Sequence, residues 1–408
     1  MRRLGALVLG AFALGMDAYV IAGLMPSIGA ELQVSAFAVG LLVTAFTLAY
    51  ALLSPIGSAL GAALAARTVL IGALAIFTAG NVLSAVAPSL GWLLCARVIA
   101  GLGAGVFMPT AAATAAQSVA PARRGRTLAL ITAGMSSGAA LGVPIGIAVG
   151  QDLGWRCTLW LVVALGLIAG VGGALTLPRT DTRVEPPPLR ARLDVLGQPG
   201  VARIVLITFA ASATSIGAYT YVSALLHNTD GATSTAGYLW MWGLGGLAGC
   251  LSIGFLIDTW RDTRALQSVI LATLTLALLT FPLVGRSFGG ALLGLFVWGA
   301  AGWASLAPQQ HRLLALVPKH GTVAVALNAS ALYLGSSAGA TLGGLLVDAR
   351  GAVFECLILG AVAALFALLN RFGTPAAQDF GGGSRPLGEV GREPQDPAVG
   401  GSAGGLNR

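Results

Sequence analysis

An aspartate, Asp17, stands inside the first long apolar stretch of the chain, with Tyr19 two residues on. An acid in the hydrocarbon layer costs about 2.5–3.5 kcal/mol on insertion scales unless it is neutral, paired or in a watery cavity, and such residues mark proton relays and ion pathways. The chemistry open to Asp17 is therefore reversible proton exchange, with a locally paired structural acid as the other reading. Arg97 opens another apolar stretch. If the two segments run antiparallel, Arg97 lies about five residues (roughly 7–8 Å) and Asp17 about eight (roughly 12 Å) below the same face. These depths allow an ion pair or a shared water. The alternative is that Arg97 snorkels to the headgroups.

Other chemistries have little support. Cys95, Cys157, Cys250 and Cys356 are far apart, with no CxxC and no Cys/His cluster. They read as small helix-packing residues. His227, His311 and His320 are not grouped, so neither a metal site nor a catalytic centre is expected. Glycine strings such as Gly101-Leu-Gly103 follow no strand and lack a Walker lysine, since Lys319 is the sole lysine. No cofactor and no enzymatic activity are expected.

These residues must be carried by membrane helices. Of 408 residues 56% are hydrophobic and 9% charged, where a soluble domain carries about 25% charged. Such a surface must meet lipid. Twelve apolar stretches run from 4–25 to 352–371, and Arg2 and Arg3 precede a first span rather than a cleaved signal, because many spans follow. The expected fold is an all-α membrane protein of twelve transmembrane helices in two pseudo-symmetric six-helix bundles. The bundles cover 1–177 and 201–373, joined by a polar, proline-rich linker, 178–200, and followed by a Gly- and Pro-rich tail, 374–408, expected to be disordered.

The net charge of +8 does not point to nucleic acid, because the arginines fall in short gaps between apolar runs. With the N-terminus in the cytoplasm, sixteen basic residues lie on the cytoplasmic side and four (Arg97, Arg156, Arg286, Arg350) near the outside. Both termini are then cytoplasmic, and Trp92 and Trp155 fall at the outer interface as belt residues.

The halves repeat. A single shift of 197 residues carries Gly57 onto Gly254, Arg67 onto Arg264, Pro121 onto Pro318, and Gly138, Gly142 and Gly146 onto Gly335, Gly339 and Gly343. Parallel repeats of this kind place a substrate near mid-membrane between rocking bundles. Thr214 stands at the copy of Asp17, so the second half is expected to lack a deep carboxylate and to offer an apolar, hydroxyl-bearing wall. Tyr19 and Thr214 are the expected cavity residues. In helix 5, Gly134, Gly138, Gly142, Gly146 and Gly150 recur every four residues and let a neighbouring helix approach closely. Pro144 permits a bend there.

Four stretches carry a resemblance over about residues 4–371. Gly15-Met-Asp17-Ala-Tyr through Gly23-Leu-Met-Pro26 is similar to an acid followed by Gly-Leu-x-Pro in helix 1. Arg97 through Gly105 resembles a helix-4 RxxxGxG motif, and Gly134 through Gly146 with Pro144 resembles a helix-5 antiporter motif. The loop signature GxLaDRxGRR is degenerate after helix 2, where Gly61 replaces the acid and Arg67 survives. It is better kept after helix 8 as Gly254 through Asp258 to Arg264. Together these resemble the twelve-span drug:proton antiporters of the major facilitator superfamily, with chloramphenicol-exporter-like and sugar-efflux-like bacterial members nearest.

The resemblance implies a proton-coupled exporter of small hydrophobic or amphiphilic compounds, monomeric, in the bacterial inner membrane. Its partners would be a small-molecule substrate, protons and lipid. Asp17 and Arg97 would couple the proton. The loop charges would latch the cytoplasmic side, with Asp258 facing Arg123, Arg124 and Arg126 at the start of helix 5; the alternative is a solvated loop acid. A sugar or metabolite exporter is the second reading, and a non-transporting scaffold or receptor the third.

Overall fold

The computed structural model describes residues 2–120, 124–178, 194–198, 200–227, 229, 235–260, 262–317 and 321–372. The expected linker lies largely, and the expected tail wholly, outside these. Among the described residues twelve helices are long and apolar enough to cross a membrane, and no strand occurs. The first six are α1 (Arg2–Leu32), α2 (Ala36–Ala63), α3 (Ala66–Ala85), α4 (Leu90–Gln117), α5 (Arg124–Ser137, a π-helical turn Gly138–Gly142, then Val143–Leu153) and α6 (Trp155–Thr176). The second six are α7 (Val201–Thr220, continued by Val222–Leu226), α8 (Thr235–Thr259), α9 (Thr263–Val284), α10 (Phe288–Ala304, then Leu306–Leu316), α11 (Gly321–Arg350) and α12 (Ala352–Phe372).

The repeat is visible in the packing. In the first bundle α1 packs on α5 and α6, α2 on α4, and α3 on α4 and α6; in the second, α7 packs on α11 and α12, α8 on α10, and α9 on α10 and α12. Gly154 and Gly351, one repeat shift apart, start α6 and α12 with φ of +90° and +87°, a conformation that only glycine takes without strain. The bundles meet through α2 against α11 and α5 against α8, with α1 touching α7.

The two membrane faces differ. The near face carries the start of α1, and the far face carries the α1–α2 connection. Toward the far face, side chains of both bundles share one core, in which Ile21, Leu42 and Trp155 join Tyr221, Trp242 and Leu274. Toward the near face two further cores lie apart, one around Leu7, Leu70 and Phe107 of the first bundle that also takes in Tyr333 of α11, and a smaller one in the second bundle around Ile204, Leu313 and Val323. Many large apolar side chains, Leu175, Leu251 and Phe372 among them, stay exposed, as a lipid-facing surface requires.

Candidate functional site

The helix-5 glycines determine how α1 is held. A Cβ on Gly134 would lie 2.7 Å from the Val8 carbonyl, one on Gly138 would overlap the Phe12 carbonyl, and one on Gly142 would lie 2.9 Å from Met16 Cβ. The neighbour of the ladder is thus α1, the helix that carries Asp17. The second bundle repeats the contact, with Gly335 and Gly339 of α11 on the Phe209 and Ala213 carbonyls of α7. The break in α5 is the π turn Gly138–Gly142, and Pro144 sits just beyond it, in the first turn of the α-helix that resumes there.

Asp17 and Arg97 meet in this frame. Arg97 Nη1 donates to Asp17 Oδ1 at 2.7 Å, and Nη2 donates to the Asp17 carbonyl at 3.3 Å. Both side chains are 0% exposed. The guanidinium does not snorkel; it lies over the Phe46 ring, 4.3 Å from its centroid. Asn81 Nδ2, on α3, donates to the Phe77 carbonyl at 3.1 Å and reaches Asp17 Oδ2 at 3.5 Å. Sequence reasoning did not single out Asn81. Its signal was a lone amide in an apolar span, a residue type that hydrogen-bonds between membrane helices. The arrangement can hold a negative charge in hydrocarbon as an ion pair, and can release Arg97 when the carboxylate takes a proton.

Tyr19, two residues on, reaches the second bundle. Its ring lies 6.1 Å from Tyr219, 5.8 Å from Trp242 and 5.6 Å from Trp303, and Tyr219 stacks on Trp242 at 4.0 Å. The indole N–H groups of Trp242 and Trp303 are buried without a partner. Lower between the bundles, Tyr50 stacks on Tyr333 at 3.7 Å. Thr214 is brought to no open wall: it is fully buried, and its hydroxyl donates to the Ala210 carbonyl of its own helix at 2.9 Å.

Two expectations are corrected. The second bundle does bury a carboxyl: Glu355, in the first turn of α12, is 0% exposed. Following the copy of Asp17 to Thr214 missed it, because the acid lies on a different helix. Trp155 is no belt residue. It is 2% exposed, and its indole N–H donates to Glu31 Oε2 at 2.7 Å, while Arg156 pairs with Glu31 Oε1 and donates to the Ala87 carbonyl at 2.8 Å. Trp92, by contrast, is half exposed.

At the near face, Arg67 Nη2 donates to the Ala174 carbonyl at 2.5 Å, and Arg264 donates to the Asn370 and Arg371 carbonyls at 2.7 and 3.2 Å. Ala174 and Arg371 are one repeat shift apart, so both arginines cap the last turn of the sixth helix of their own bundle. Asp258 is exposed at the near end of α8. The side chains of Arg123, Arg124 and Arg126 lie outside the described residues. Among the described residues no group of three or more His, Cys, Asp or Glu could hold a metal ion.

Residues 7–323 match the family described as Major Facilitator Superfamily. The chain is 33% identical to an uncharacterized MFS-type transporter, YbcL, of Bacillus subtilis, over 91% of this chain and 96% of that protein. It is 30% identical to the inner membrane transport protein YdhP of Escherichia coli K12, over 90% and 94%. It is also 30% identical to a chloramphenicol resistance protein of Streptomyces lividans, over 88% and 93%. The crystal structure of the human organic anion transporter MFSD10 has the same fold, with a TM-score of 0.66 at 18% identity, over 90% of this chain and 99% of that one.

Proposed function

Since this chain belongs to the Major Facilitator Superfamily and is a multi-pass membrane transporter, we propose that it is a proton-coupled antiporter that expels small hydrophobic or amphiphilic compounds, antibiotics among them, by alternating access. The observation that carries this reading is the buried Asp17–Arg97 pair on α1, held against the glycine face of α5. An acid kept in hydrocarbon by a single cation has a use where protons are bound and released.

The near face is cytoplasmic in this reading, as the excess of basic residues there requires, and the membrane is the bacterial inner membrane. In this reading the shared core toward the far face belongs to a state closed on the outside. Protonation of Asp17 frees Arg97, and α1 then moves against α5. The cargo lodges between the bundles beside Tyr19, Tyr219, Trp242 and Trp303, a wall of rings better matched to apolar solutes than to sugars. That wall, and the relative that is a chloramphenicol resistance protein, favour drug export over sugar export.

The test is a susceptibility panel in a host lacking its own pumps. The intact chain should raise resistance to some apolar antibiotics at least several-fold. Asp17→Asn, present at equal level in the membrane, should raise none. Gradient-dependent export by Asp17→Asn would refute the proton role.

A further inference from the structure

The acid of the second bundle differs from Asp17. Glu355 is wholly buried, and neither carboxyl oxygen has a hydrogen-bond partner. An ionised carboxylate so placed would lose its water and gain nothing in return, so burial tolerates the acid form. The first bundle shows which turn it faces. Thr158, one repeat shift earlier on α6, donates to the Gly146 carbonyl at 2.6 Å. Gly343 is the copy of Gly146, and a Cβ placed on it would lie 2.9 Å from Glu355 Oε1. The acid therefore rests against the same turn of α11 that the threonine hydroxyl bonds on α5.

That turn also touches the far-face seal. The same Cβ on Gly343 would lie 3.0 Å from the Tyr221 ring. The Tyr221 hydroxyl donates to the Ala340 carbonyl at 2.7 Å and fills a notch between Gly40 of α2 and Gly344 of α11, where a carbon on either glycine would overlap it. Beside it, Thr44 bonds Thr341 and Ser35 bonds Asp348, each at 3.0 Å. Glu355 thus sits directly behind the residue that closes one bundle on the other.

The other titratable or charged groups around it are few. Cys356 Sγ donates to the Leu278 carbonyl at 3.2 Å. Asp348 and Arg350 end α11, with Arg350 over Phe354 at 5.2 Å. His227 lies at the end of α7, and Arg286 lines, with Val353, a cavity of about 250 Å³ between α9 and α12. None of these bonds Glu355.

We propose that Glu355 is a second proton-binding site: it keeps its proton while the far face is sealed and releases it when the seal around Tyr221 opens to water. The release step rests on the alternating-access reading; the protonation itself does not.

Infrared spectra of the purified full-length protein across a pH series test the protonation. Above the pH at which exposed carboxyls ionise (about 4), a residual carboxylic-acid C=O band should remain, fade as pH rises further, persist in Asp17→Asn and be missing in Glu355→Gln. An identical band in wild type and Glu355→Gln, or one that ignores pH, overturns the proposal. Release is read from thiol labelling of Thr44→Cys in a background with Cys95, Cys157 and Cys250 replaced by serine, each rate divided by that of a free thiol at the same pH to remove the effect of thiolate formation. The rate should rise several-fold from acid to alkaline pH, and Glu355→Gln should flatten that rise. A rise undiminished in Glu355→Gln overturns the coupling to the seal. Glu355→Thr, which copies the threonine of the first bundle, serves as the second variant should the glutamine not fold, and should flatten the rise likewise.

Discussion

Neutralising Asp17 alone should harm the protein more than neutralising Asp17 and Arg97 together. In Asp17→Asn the guanidinium keeps the backbone carbonyl of residue 17 and the Phe46 ring but loses its counter-charge at 0% exposure. Two unit charges about 4 Å apart attract by about 4 kcal/mol at an effective dielectric of about 20. Breaking a buried pair by removing one partner costs about 3–5 kcal/mol, whereas replacing both members is often nearly neutral. Arg97→Gln should cost as much as Asp17→Asn, and the double variant should recover most of the loss. The coupling energy in the cycle, the two single losses less that of the double, should then be about 6 kcal/mol or more, beyond the few tenths expected of independent sites. The assay is a thermal or denaturant melt of the four purified proteins, read beside proton release on adding substrate. The double variant should melt near wild type and release no proton linked to Asp17. Additive single-variant losses would refute the argument that the pair is held by charge rather than by packing.

The ladder glycines should be intolerant where they meet backbone and tolerant where they do not. Gly138→Ala and Gly339→Ala force a methyl onto a carbonyl of the facing helix, and each should lower stability by at least about 1–3 kcal/mol, seen as an earlier melt. Gly254→Ala, with nothing near its Cβ position, should melt as wild type. Arg67→Ala and Arg264→Ala each remove a charge-assisted bond to a helix end worth about 1.5–3 kcal/mol, and should lower the melting temperature while transport per folded molecule stays close to wild type. A loss of transport without a loss of stability would return these arginines to a gating role.

The depths of Asp17 and Arg97 below one face were legible, because rise per residue and antiparallel order are enough to bring them level. The repeat was legible too, since small residues and arginines at one fixed spacing survive where apolar residues interchange. The neighbour of the glycine ladder was not: a small-residue face shows that a helix comes close, and only tertiary packing shows that it is α1. Glu355 stayed hidden because an acid in a first helical turn suits the helix dipole at any water interface. Its burial depends on Gly343 of α11 and the Tyr221 ring folding over that end. Trp155 was misread for the converse reason, because Glu31 offers its N–H a partner that the lipid interface would otherwise supply. Arg67 and Arg264 follow the loop pattern of the resemblance, yet the carbonyls they bond belong to helices about a hundred residues away in the chain.

The contact between α1 and α5 advances in step on both sides: Val8, Phe12, Met16, Val20 and Leu24 meet Gly134, Gly138, Gly142, Gly146 and Gly150. A stripe repeating every four residues on a helix of 3.6 residues per turn drifts by about 40° at each step, and the wider turn at Gly138–Gly142 takes up part of that drift in α5. The two surfaces therefore mesh like a bolt and its thread. α1 cannot turn about its long axis without driving its side chains into α5, so the contact ties any movement of the helix that carries Asp17 to a movement of its partner.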